Sequence, residues 1–175
     1  GCVHIGDMKI LSNVILVMLS CLLASLAFAV EESTNTEKQQ ILSADYNMEF
    51  KNHSSSANDL VIVKRSTDCM YDSGVDQVRI KSGNQRGIHL QDNDNLFSAC
   101  TLRPKWVEWS VSSGSMNCAL RFERGYDVSD FGWYTVIKGC QNVVESATCG
   151  NANCNQTKVY GSSSYMEINV EFLVQ

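Results

Sequence analysis

Histidine is nearly missing from this chain, with three copies among 175 residues, at positions 4, 53 and 89. No Gly-x-Ser-x-Gly elbow, no His-Glu-x-x-His pair and no phosphate-cradling glycine loop occurs either. The common hydrolase, metalloprotease and nucleotide chemistries therefore have no anchor in the sequence. His53 lies in a Ser/Asn-rich stretch and His89 stands between Ile88 and Leu90 on the polar side of a strand pattern, so both read as surface residues. Positive charge is scarce too: 14 Lys and Arg face 19 Asp and Glu, giving a net charge of −5. With no basic cluster to meet a phosphate backbone, nucleic-acid binding is excluded. Beyond residue 29 no stretch keeps a helical period for ten residues, and alternating helices would be needed for a parallel α/β sheet.

What is present starts with an export signal. Met8-Lys9 supplies a short positive start, Val14 to Leu23 is almost unbroken in apolar character, and Ala27-Phe28-Ala29 fits the small-x-small cleavage pattern. An uncleaved anchor is the competing reading, but Ser12, Asn13, Ser20 and Ser25 dilute the run and Glu31-Glu32 follow it. Met18-Leu19-Ser20-Cys21 only loosely matches a lipid-attachment box, so cleavage before Val30 is the expectation. Residues 1–29 are read as upstream residues and cleavable signal, 30–44 as a polar flexible leader, and 45–175 as one domain. The protein is expected to be secreted or periplasmic, with no stable membrane insertion after cleavage. Cleavage there leaves 146 residues (30 to 175), enough to bury about 68% of the unfolded chain's surface in one core.

Six cysteines remain, at 69, 100, 118, 140, 149 and 154. An even number in an exported chain predicts disulfides, and the spacing lacks the close Cys-x-x-Cys pairs or accompanying histidines of a zinc site. Six cysteines allow fifteen connectivities and spacing alone does not choose among them. The working expectation closes Cys149–Cys154 as a local loop, with Cys118–Cys140 and Cys69–Cys100 as the other bridges.

The apolar pattern has a period of two. Tyr46, Met48 and Phe50 alternate with polar residues, Leu60 to Val63 is a short β-branched run, and Val78/Ile80 and Ile88/Leu90 continue the rhythm. Val107, Trp109 and Val111 share a parity, as do Leu120 and Phe122, and Gly132 to Ile137 is aromatic and β-branched. Met166, Ile168, Val170, Phe172 and Val174 alternate most cleanly of all. About nine short strands with turn clusters between them predict an all-β fold, a single antiparallel β-sandwich or jelly roll stabilised by disulfides.

Several residues are candidate ligands. Asp92-Asn93-Asp94-Asn95 offers oxygens to calcium, with Asp92 and Asp94 as the metal candidates, although Leu96 and Phe97 stand where an EF-hand needs a ligand and a glycine. A plain turn explains the same residues through side-chain to backbone hydrogen bonds. Trp106 differs in parity from Trp109 and falls on the outer face of its strand, and Trp133 and Tyr134 face opposite ways. Trp106, Trp133 and Tyr134 are therefore candidate binding aromatics, with partial burial under a loop as the plainer reading. Glu108, Glu123, Asp127 and Asp130 are candidate carboxylates for a glycan hydrolase. Asn52-His53-Ser54 and Asn155-Gln156-Thr157 fit the N-glycosylation pattern.

The run Trp109-Ser110-Val111-Ser112-Ser113-Gly114, with Ala119 to Glu123 and Phe131-Gly132 after it, is similar to the Greek-key repeat of βγ-crystallin-like proteins. The resemblance covers less than a third of the chain. Lys105 and Trp106 stand where that family carries its calcium-binding pair, so the resemblance implies a strand order and not a calcium site. Function is then expected to be binding to an extracellular protein or glycan, inhibitor- or effector-like and without a cofactor. A secreted hydrolase using paired carboxylates and a structural surface component are the alternatives.

Overall fold

The computed structural model describes residues 43–55 and 57–175. The proposed signal, and the leader up to residue 42, lie outside the described residues. Twelve strands follow in chain order: β1 (Asp45–Asn52), β2 (Leu60–Asp68), β3 (Met70–Asp72), β4 (Gln77–Ile80), β5 (Gln85–Asp92), β6 (Lys105–Ser113), β7 (Met116–Asp127), β8 (Gly132–Gly139), β9 (Val144–Cys149), β10 (Ala152–Asn153), β11 (Val159–Tyr160) and β12 (Tyr165–Phe172). They form two six-stranded sheets, β10-β9-β12-β1-β5-β3 and β11-β8-β7-β6-β2-β4. The fold is all-β, two mostly antiparallel sheets packed together, as the alternation predicts.

Inward-facing residues from both sheets meet in one core. Tyr46, Met48 and Phe50 on β1 and Ile168, Val170 and Phe172 on β12 are buried, opposite Val107, Trp109, Val111, Leu120 and Phe122. Tyr46 packs edge-on against Phe122 at 4.8 Å and Phe50 against Trp109 at 5.7 Å between ring centroids. Each such pair adds about 0.5–1.5 kcal/mol beyond its area burial. The segments of the crystallin-like resemblance fall on β6, β7 and the start of β8, which pair consecutively and antiparallel.

Three features differ from the expected pattern. β1 and β12 pair in parallel, Asp45 beside Tyr165 through Asn52 beside Phe172. Two antiparallel neighbours would need a connection that reverses direction, whereas these strands are far apart in sequence and free to run either way. β3, β10 and β11 are edge strands of two or three residues, too short to show alternation. β9 is a full strand, but a bulge breaks its rhythm. Glu171 is opposite Ser146 while Phe172 is opposite Val144, so Val144 and Ala147 are both buried with two residues between them.

The disulfides are Cys69–Cys100, Cys118–Cys140 and Cys149–Cys154, the pairing expected. The first ties the start of β3 to the loop between β5 and β6, the second joins β7 to the residue after β8, and the third closes the β9–β10 hairpin. Ser43 and Ala44, the end of the expected leader, are among the described residues. Ala44 is buried, and its N–H donates to Asp92 Oδ1 at 2.8 Å.

Candidate functional site

One end of the sandwich departs from the apolar rule of the core. On β6 the inward parity of Val107, Trp109 and Val111 continues to Lys105, and on β7 that of Leu120 and Phe122 continues to Arg124. Lys105 lies directly beside Arg124, and Arg124 beside Thr135 of β8, in one cross-strand row. The facing sheet presents Tyr46 and Asp92, and Asp94 follows in the next loop. The core is thus capped by two cations, two carboxylates and a phenol.

Each charge in this layer is matched. Lys105, whose side chain is 0% exposed, places Nζ 2.8 Å from Asp94 Oδ1 and 3.1 Å from the carbonyls of Cys100 and Arg103, so its three N–H groups all have acceptors. Its ammonium also sits 4.3 Å from the centroid of Trp133. Arg124 donates from Nη1 to Thr135 Oγ1 at 3.3 Å, and its Nε lies 3.7 Å from Asp92 Oδ2. Asp92 accepts from Ala44 N–H on Oδ1 and from the Tyr46 hydroxyl on Oδ2 at 2.7 Å. Burial raises the Asp92 carboxyl above its usual range, against the pull of those donors and of Arg124. The Tyr46 phenol is raised well above its usual value, by burial first and then by the neighbouring Asp92 charge.

This layer floors an open cleft of about 400 Å³ lined by Ser43, Asp92, Asp94, Arg124, Trp133 and the serines 162 to 164. Exposed apolar side chains stand on the loops that follow β5 and β7, the strands that carry Asp92 and Arg124. Leu96, Phe97 and Leu102 lie between β5 and β6, and Val128 and Phe131 turn β7 into β8. All are exposed, Phe97 by 93% and Phe131 by 80%. The Cys69–Cys100 bridge pins the first loop. Two local bonds shape it, Asn95 N–H to Asn93 Oδ1 and Phe97 N–H to Asn95 Oδ1.

Asp92 and Asp94, the calcium candidates, both have internal partners. Asp94 is held by Lys105, Asp92 by Ala44, Tyr46 and Arg124, and the two asparagines shape the loop, which is the turn reading. Among the described residues, the group of three His, Cys, Asp or Glu side chains placed to share an ion is instead His53, Glu145 and Glu171.

The three candidate aromatics do not form one platform. Trp133 faces inward and lines the cleft. Trp106 and Tyr134 lie on the outer face of the β6-β7-β8 sheet, where the Arg121 guanidinium covers the Trp106 ring at 4.1 Å and Lys158 Nζ stands 4.2 Å over Tyr134. Gly125, opposite Tyr134 on β7, leaves the room that ring occupies. The Tyr134 hydroxyl donates to Glu123 Oε1 at 2.9 Å, and burial together with that bond pushes the phenol up to about 12. Burial pushes Glu123 up, but the Lys138 and Tyr134 bonds outweigh it and hold the carboxyl below its usual value.

The hydrolase carboxylates also find internal partners. Glu108 lies 4.0 Å from Arg121, Glu123 2.7 Å from Lys138 and Asp127 2.6 Å from Lys158. Asp127 and Asp130 converge on the Tyr160 hydroxyl, which is exposed. Of the two glycosylation patterns, the first is closed by the fold. Asn52 is 1% exposed, its Nδ2 donates to Ile80 O and its Oδ1 accepts from Ser54 N–H, so a glycan on Nδ2 would displace a core-edge hydrogen bond. Asn155 is half-buried after β10.

Lys105 and Arg124 are the members of the site that sequence inspection passed over. Their signal was present as parity: each is a cation at a position in phase with core residues. No family model matches the sequence, and no curated protein matches it.

Proposed function

We propose that the chain is an extracellular binding protein that takes a carbohydrate into the cleft at the charged end of its sandwich. The observation that carries this reading is the paired layer beneath the cleft. Two cations balanced by two carboxylates leave no net charge to select an ionic ligand. What remains is a set of fixed donors and acceptors from Arg124, Asp94 and four serines beside an indole, which is the chemistry of a neutral, hydroxyl-rich ligand. Three disulfides suggest an oxidising environment, and the apolar run before Val30 supports secretion as the route.

Capture is favoured over cleavage. Both oxygens of Asp92 are committed to internal donors and Asp94 holds Lys105 through Oδ1, so the cleft offers no pair of unpartnered carboxylates to flank a glycosidic bond. Exposed Phe97 and Phe131 support a second reading, a protein partner seated on the loops around the mouth, because such aromatics on stiff loops supply contact area at low entropic cost.

Screening the secreted protein on an array of neutral and acidic oligosaccharides, followed by calorimetry, tests the first reading. Ser163→Trp, a change on an exposed loop, fills the cleft and is expected to abolish glycan binding with the fold intact. Binding of a neutral glycan should also change little with salt, since screening acts on charges. Glycan binding that survives Ser163→Trp would place the ligand elsewhere. An array with no bound glycan, together with capture of a protein lost in Phe97→Asp, would transfer the function to the loops. Ready self-association in light scattering with no ligand at all would favour a structural surface component.

A further inference from the structure

The end opposite the cleft carries a second arrangement. Strands β9, β12 and β1 lie side by side there, and each brings one metal-ligating side chain to the outer face. Glu145 is on β9 and Glu171 on β12. His53 follows β1, extending its ladder with an N–H donated to Phe172 O at 2.8 Å. His53 Nδ1 lies 3.3 Å from Glu145 Oε2 and 4.0 Å from Glu171 Oε2. The three donor atoms all fall within 4.8 Å of one another.

The bulge in β9 makes this possible. In unbroken alternation Glu145 and Ser146 would face opposite ways, but the register slip beside Glu171 turns both outward. The Ser146 hydroxyl then donates to Glu171 Oε2 at 2.8 Å, which orients that carboxylate toward His53. Lys51 lies 3.7 Å from Glu171's other oxygen and 3.4 Å from Glu49, so its charge is shared, and Oε2 keeps a lone pair beyond the one that accepts from Ser146. A His–Glu hydrogen bond accounts for the 3.3 Å contact. A second carboxylate, Glu171, is aimed at the same imidazole, and a cation shared by all three groups would relieve the repulsion between the two carboxylates.

We propose that His53, Glu145 and Glu171 bind a transition-metal dication, with Zn²⁺ as the type. One imidazole and two carboxylates suit Zn²⁺ or Cu²⁺ and do not suit Ca²⁺, which takes six to eight oxygens. Bonds of about 2.0–2.2 Å in a tetrahedral set put neighbouring donors roughly 3.3–3.6 Å apart, a spacing the side chains reach by small rotations. Three protein ligands leave one coordination position for water or an outside donor.

Calorimetric titration of the untagged, metal-free protein with ZnCl₂ near neutral pH tests the proposal. One equivalent is expected to bind, and His53→Ala and Glu145→Gln are each expected to weaken it about tenfold or more. Co²⁺ should give a visible d–d spectrum that His53→Ala removes. Asp127→Asn, an ion-paired carboxylate elsewhere, should change nothing, and thermal melting confirms that each variant is folded. No saturable binding up to about 100 µM Zn²⁺, which corresponds to an affinity too weak for a three-ligand site, overturns the proposal. So does affinity unchanged in folded His53→Ala.

Discussion

The two ends of the sandwich are near inversions of each other. At the cleft end Lys105, Arg124 and Asp92 are inside and Phe97 and Phe131 outside. At the far end Phe50 and Phe172 pack inside, and His53, Glu145 and Glu171 lie on the surface. The far end is what burial energetics favours, since apolar area leaves water and charge stays in it. The cleft end opposes that rule twice, and buried ion pairs seldom contribute net stability over well-packed apolar residues. A fold gains little from placing such a layer under a cleft unless the layer does something there, which is why we propose a binding site at this end.

The sharpest way to break the comparison is to remove one partner of each ion pair. Asp94→Ala leaves the Lys105 ammonium buried and unmatched, and is expected to cost about 3–5 kcal/mol in urea unfolding. The double replacement Lys105→Met/Asp94→Leu should recover most of that. Glu145→Ala at the far end removes a solvated carboxylate and should cost under about 1 kcal/mol. Equal costs at both ends would mean that the charged layer is not buried in solution.

The disulfides grade next. The Cys69–Cys100 bridge spans 31 residues and holds the loop at the cleft mouth, whereas Cys149–Cys154 spans 5. On chain entropy the paired Cys→Ala changes should cost roughly 3.7 and 2 kcal/mol respectively, read from denaturation midpoints. A reversed order would point to the local hairpin, not the cleft loop, as the more constrained region.

Smaller effects follow from exposed groups. Phe97→Asp is expected to leave stability within about 0.5 kcal/mol while removing any protein partner that uses the loop. His89 bridges two strands, with Nε2 2.9 Å from Asp45 and Nδ1 3.0 Å from Asp72. Its pKa is raised, chiefly by the Asp72 hydrogen bond and with help from Asp45, despite some desolvation. A raised folded-state pKa gives stability that is complete below the unfolded value near 6.5 and lost as pH rises through the folded value. Asp72, lowered chiefly by the same bond, gives stability that is lost only as pH falls through its depressed folded value. Because His89 is half exposed, solvent screening should keep the loss on raising the pH through its folded value under about 1 kcal/mol. His89→Gln should flatten it.

The sequence made the fold legible wherever alternation was unbroken. β1, β6 and β12 each bury every second side chain, so a period of two marks them directly. β9 escaped because its bulge puts Val144 and Ala147 on one face. The parallel pairing of β1 with β12 escaped because nothing local records which distant strand becomes a neighbour. At the site, Asp92 and Asp94 were visible as an acidic loop, but their partners were not. Lys105 and Arg124 look like surface charge until they are counted in phase with Val107 and Phe122. The zinc ligands His53, Glu145 and Glu171 come from three separate regions of the chain, and no spacing motif links them.

The position of β12 sets an order of events. β12, the last of the twelve strands in chain order, lies between β9 and β1, pairing with a strand 120 residues earlier. Until it arrives, that sheet is two fragments, β10-β9 and β1-β5-β3, each with an open edge. A chain without β12 therefore has no finished sheet to lock. Assembly waits for the final segment and proceeds slowly, since it depends on contacts between the two ends of the domain. Deleting β12, the eight residues Tyr165–Phe172, would remove the keystone and leave both fragments ready to pair with other chains.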